Sequence, residues 1–85
     1  MAYLIKYRPV ALRQLEKLDT KIQARLKPKI KRLSENPRPH SHIKLKGFKN
    51  RYRIRVGDYR VIYEIHDDML LVLIVKVGPR RDIYD

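Results

Sequence analysis

Six side chains in the second half of the sequence have the types and spacing to handle a phosphodiester: Arg51, Arg53, Arg55, Arg60, Arg80 and Tyr84. The first three alternate with Tyr52, Ile54 and Val56, so a strand's period of two sets guanidiniums on one face and hydrophobes on the other. Arg60 is the one positive charge in Tyr59 to Ile65, a run apolar almost throughout, as expected of a central strand covered on both sides. Like charges side by side on a sheet repel, and several arginines on one small face are best accommodated beside an anionic ligand. Cleavage of RNA by its own 2′-OH needs removal of that proton, stabilisation of the extra negative charge on five-coordinate phosphorus, and a proton for the 5′-oxygen. Arginine supplies the second: its fork donates two hydrogen bonds to phosphate oxygens and its charge persists at neutral pH. Tyr84 has the chemistry to stack on a base, or to accept a proton if guanidiniums lower a pKa that starts near 10.

The elements that must position these groups are readable in order. Tyr3 to Tyr7 has strand character, and Pro9 suits the first turn of a helix running to about Leu18 with Ala11, Leu15 and Leu18 on one face. Asp19 or Thr20 is a fair N-cap for a second helix with the stripe Ile22, Leu26, Ile30, Leu33, kinked at Pro28. Asn36-Pro-Arg-Pro-His40 ends it. A strand over His42 to Lys46, a break at Gly47, two strands joined by a turn at Gly57-Asp58, a turn at Asp67-Asp68, and a buried strand from Leu70 to Val77 stopped by Gly78-Pro79 complete the chain. The order β-α-α-β-β-β-β predicts an α+β fold, in which an N-terminal helical hairpin packs on one face of a mainly antiparallel, twisted sheet. With 85 residues, 1–85 form a single domain.

Composition narrows the function. A net charge of +12 points to a polyanionic partner, nucleic acid first among them. Residues 1–50 hold 14 Lys/Arg against 3 Asp/Glu, whereas residues 51–85 hold 7 against 6. The acids of the second part fall mostly at turns or the terminus, which leaves its sheet free to carry positive potential. Lys29, with Lys27, Lys31 and Arg32, lies mostly off the apolar stripe, on either a solvated face or a phosphate-tracking one. Lys44, Lys46, Arg51 and Arg81 join Lys29 as candidate RNA-binding residues. There is no cysteine, P-loop, Gly-rich dinucleotide turn, HExxH or paired acidic nuclease motif, and His40, His42 and His66 lack metal-ligand spacing. No cofactor and no metal are expected. No apolar run is long enough to span a bilayer, no segment resembles a signal peptide, and a cytoplasmic protein is expected.

The segments Leu45-Lys-Gly47, Tyr52-Arg-Ile-Arg-Val56, Gly57-Asp-Tyr-Arg-Val-Ile-Tyr63, Val77-Gly-Pro-Arg80 and Asp82-Ile-Tyr84 together resemble the RelE family of the RelE/ParE toxin superfamily. The similarity extends to Ala2-Tyr3 and the helices, and so covers essentially the whole chain. The resemblance implies the toxin of a type II toxin–antitoxin system, a ribosome-dependent messenger-RNA endonuclease that cuts in the A site. It also implies a hetero-oligomeric complex with a RelB-type antitoxin. Carried over by residue, the phosphate-stabilising arginines fall on Arg60 and Arg80 and the functional tail tyrosine on Tyr84. Arg53 and Arg55 stand where well-studied relatives have lysines. Arginine effectively cannot act as a base, so these two are expected to bind phosphate and stabilise charge. Arg80 is then the family-like candidate for leaving-group donor and His66 the outsider. Two alternatives share the fold: a ParE-like inhibitor of DNA gyrase, and a non-catalytic RNA- or ribosome-binding module.

Overall fold

A computed structural model describes residues 2–80. Five strands and two helices follow one another as β1 (Leu4–Tyr7), α1 (Pro9–Glu16), α2 (Thr20–Arg32), β2 (Ile43–Lys44), β3 (Arg51–Val56), β4 (Tyr59–His66) and β5 (Leu71–Pro79). They build one sheet in the order β1-β5-β4-β3-β2, antiparallel except for the outer pair β1 and β5, which run parallel.

Each helix forms for local reasons and is held by one apolar stripe. Pro9 opens α1, and the Asp19 side chain caps α2 by accepting a hydrogen bond from Lys21 N at 3.0 Å. Gln23 Nε2 donates to Leu18 O at 2.8 Å, satisfying a carbonyl beyond the end of α1, which stops at Glu16, two residues earlier than the periodicity predicts. The second helix runs through Pro28. An interior proline costs about 3 kcal/mol, but Leu26, Ile30 and Leu33 are each at most 1% exposed. Burying a leucine or isoleucine stabilises by about 1.5–3 kcal/mol, so three of them outweigh the proline. With Ala11 and Leu15 they cover the sheet face made by Tyr52, Ile54, Val61, Tyr63, Ile65, Val72, Ile74 and Val77. The opposite sheet face carries no helix among the described residues, only a small apolar cluster of Ile62, Val75 and Leu45.

Two strands differ from the sequence reading. The predicted strand at 42–46 is only Ile43–Lys44, because His42 is turned back on Pro39 by a backbone bond of 2.9 Å and Gly47 bends away at φ 85°. At the other end, Gly78 and Pro79 extend β5 instead of stopping it, pairing with Arg60 and Tyr59. The ladder between β4 and β5 also contains a bulge: Val61 pairs with Val77 and Ile62 with Lys76, yet Tyr63 pairs with Ile74. Val75 is the extra residue. A regular ladder would turn Lys76 into the core and Val77 out; the bulge puts Val77 in the core and Lys76 on the helix-free face.

Candidate nucleic-acid interface

The helix-free face holds a groove of about 590 Å³. Arg51, Arg53, Arg60, Lys44, Lys46 and Lys76 line it together with Ile43, Leu45, Phe48 and Ile62, and no carboxylate is among the described lining residues. Each strand contributes by its pleat. From β3 come Arg51 and Arg53, whose neighbours Tyr52 and Ile54 are buried on the helix side. From β4 comes Arg60, only 4% exposed, flanked by β3 and β5. Arg55 lies opposite Arg60 across the ladder, so two guanidiniums share one rung at the hairpin end. Like charges directly opposite each other on a ladder repel.

The hairpin also fixes where the chain leaves the sheet. Gly57 turns with φ 59°, a conformation that favours glycine, and the Asp58 carbonyl accepts the Arg80 N–H at 2.8 Å. Arg80 therefore begins two residues beyond the Gly78 that pairs with Arg60, and its side chain is exposed. Arg81 and Tyr84 lie outside the described residues.

Three residues chosen from the sequence occupy other surroundings. Arg51 sits in the groove wall but is engaged: its Nη2 and Nε donate to Glu64 Oε2 at 2.7 and 3.3 Å, and its guanidinium lies 4.3 Å from the centre of the Phe48 ring. Lys29 lines a separate cleft of about 230 Å³ between the end of α2, the 36–41 loop and β3, where Arg32 and Arg55 also reach. Arg55 thus lines this cleft and not the groove, although its backbone pairs with that of Arg60. His66 stands six residues along β4 from Arg60, roughly 20 Å away, and its Nε2 is 3.0 Å from Glu64 Oε1. That separation removes it from the Arg60 end and from the role of leaving-group donor there. Burial pushes the Glu64 carboxyl up, but hydrogen bonds from Arg51 and His66 and the charges of Arg51 and Arg8 outweigh it and hold the group below its ordinary value.

Sequence reasoning missed Lys76. It is the single charge in a run that otherwise reads as a fully buried strand, and that interruption was the available signal. Phe48 was missed as well: no periodicity marks it, and it gains meaning only from the ring contact with Arg51. Tyr63 proves structural. Its hydroxyl donates to Pro37 O at 2.7 Å, and burial raises its pKa far above the ordinary phenol range.

Comparisons with known proteins place the chain and its fold. Residues 5–84 match the family model described as the ParE toxin of the type II toxin–antitoxin system parDE. A RelE-like toxin protein of Escherichia coli is 37% identical over 89 residues, spanning 100% of this chain and 93% of the relative. The mRNA interferase toxin RelE of Escherichia coli K12 is 32% identical, spanning 95% of this chain and 86% of the relative. Among solved structures, RelE in the intact Escherichia coli RelBE complex superposes with a TM-score of 0.82 at 30% identity, covering 92% of this chain and 96% of that one. The archaeal RelE–RelB complex of Pyrococcus horikoshii gives 0.83 at 31% identity, covering 96% and 99%. Fold and comparisons together define a toxin of a type II toxin–antitoxin system. Within the RelE/ParE superfamily, the chain belongs to the RelE family.

Proposed function

We propose that this protein is a ribosome-dependent endoribonuclease that cuts messenger RNA in the A site and thereby stops translation in the cytoplasm. The observation that carries the reading is the convergence of cations on the helix-free face, where Arg60, 4% exposed, lines one groove with Arg53, Lys44, Lys46 and Lys76. In the proposed reaction the 2′-oxygen of one nucleotide bonds to the adjacent phosphorus as the P–O5′ bond breaks. The 2′-OH proton goes to a base, and the 5′-oxygen takes up a proton. The products are a 2′,3′-cyclic phosphate and a 5′-OH. Arg60, with Arg53, Arg55 and Arg80, holds the non-bridging oxygens and meets the charge that grows on them, the task a metal ion performs in other nucleases. Lys44, Lys46 and Lys76 extend the cationic track. Tyr84 is proposed to stack on a base or take the proton, and Arg80 to supply one to the leaving oxygen.

The same relatives crystallise as RelB–RelE complexes, and a RelB-type antitoxin in a hetero-oligomer is the proposed partner here. Its neutralising segment should be acidic and amphipathic, to match the groove. The ParE label of the matching family model supports a second reading, inhibition of DNA gyrase without RNA cleavage. Primer extension on a defined messenger RNA, with and without programmed ribosomes, decides between them. Cuts inside A-site codons that require ribosomes and leave 2′,3′-cyclic ends are expected. An uncut message together with loss of gyrase supercoiling would establish the second reading instead.

A further inference from the structure

We propose that Phe48, backed by Arg51, is a stacking platform for the base of a nucleotide flanking the cleaved phosphate; the proposal rests on the nuclease reading above. Phe48 is an aromatic ring left 47% exposed in the wall of a cationic groove. One side of the ring is covered by the Arg51 guanidinium at 4.3 Å. That guanidinium is fixed in plane by its two hydrogen bonds to Glu64 Oε2, and Glu64 is itself held by His66 and lies within 3.8 Å of Arg8. Arg51 is therefore poorly placed to swing out and grip a phosphate. Its charge is matched by Glu64, and what it offers the groove is a flat, immobilised support for the ring. The residue as a whole keeps nearly half of its surface exposed, and an exposed aromatic beside a phosphate track is a general means of holding single-stranded bases.

The register places this platform relative to the chemistry. Arg51 pairs with Glu64, and Arg55 with Arg60, so the platform lies four residues along the ladder from the Arg60 rung, roughly 13 Å. That is too far for the base whose phosphate rests on Arg60 and suits a neighbour further along the strand. The platform would order the RNA on one side of the cut and favour bases that stack well, purines above pyrimidines, at one position.

The test uses the full chain on ribosomes programmed with messages that are intact or carry a single abasic residue at successive positions around the cut. Single-turnover cleavage is measured for wild type, Phe48→Ala, Phe48→Leu, Phe48→Tyr and Arg60→Ala. On the intact message Phe48→Ala and Phe48→Leu should be slower at limiting enzyme by about tenfold, and Phe48→Tyr near wild type. On the message abasic at one flanking position, wild type should fall to the level of Phe48→Ala, which falls no further. Equal losses for Phe48→Ala on every message would make the ring a scaffold only and overturn the proposal, as would no loss at all. Absence of any ribosome-dependent cleavage by the wild type would overturn the nuclease reading itself and the platform with it.

Discussion

Arg60 is held where most arginines are not, buried on a central strand and across a rung from a second arginine. Lys76 reaches the same groove through a single extra residue in β5. If both contact RNA phosphate, each contributes to counterion release. Lys76→Ala should reduce the slope of log affinity against log salt by about 0.7 for a single strand, measured by titrating ribosome-bound message between low and moderate salt; an unchanged slope would remove Lys76 from the track. The carboxylates answer to pH. Glu64 is held below its ordinary pKa as described, and hydrogen bonds from Arg38 and Tyr3 hold Asp67 low as well. A carboxyl depressed in the folded state adds stability above its unfolded pKa, near 4, and that contribution is lost as pH falls through the lowered folded value. The urea midpoint should accordingly be flat from pH 7 to 5 and fall below about 4, with a smaller acid loss in Asp67→Asn than in wild type.

At the scale of elements, the β3–β4 hairpin joins the helices to the site. A Cβ at Gly57 would lie 2.7 Å from Arg25 Nη2, and φ there is 59°. Gly57→Ala should cost about 1–2 kcal/mol from the left-handed backbone alone, with the crowded Arg25 adding to it. In an Arg25→Ala background the cost should shrink toward the backbone share, a coupling that a double-mutant cycle on urea midpoints will read. Pro28 provides the opposite case. An interior proline costs about 3 kcal/mol, and replacing it returns about 1 kcal/mol of unfolded-chain entropy, so Pro28→Ala should raise stability by about 2 kcal/mol in the same assay. The helices, the central hairpin and Arg60 were legible because each rests on a local pattern: an apolar stripe, a capping Asp19, alternation in Arg51–Val56, and a single positive charge in a mostly apolar strand. Lys76 was not, since its direction depends on a bulge set by pairing with β4, and β2 was overextended because its strand-like residues lose out to the turn at Pro39 and the bend at Gly47. His66 ends β4, six residues and roughly 20 Å from Arg60.

Over the whole molecule the charge has two distributions. The helical half carries most of the excess, and the open sheet face concentrates a smaller set of cations around one buried arginine. The first suits docking to a large polyanion, the second suits holding one phosphate, and the helices cover the sheet face that the groove does not use. Only the second distribution bears on chemistry, and Arg60 is its centre. Its direct test is single-turnover cleavage of A-site codons on programmed ribosomes at saturating enzyme, comparing wild type with Arg60→Ala, with circular dichroism and urea midpoints confirming that both are folded. A rate lower by about 100-fold or more is expected for Arg60→Ala, with ribosome binding weakened far less. A folded Arg60→Ala that cleaves at the wild-type rate would contradict it.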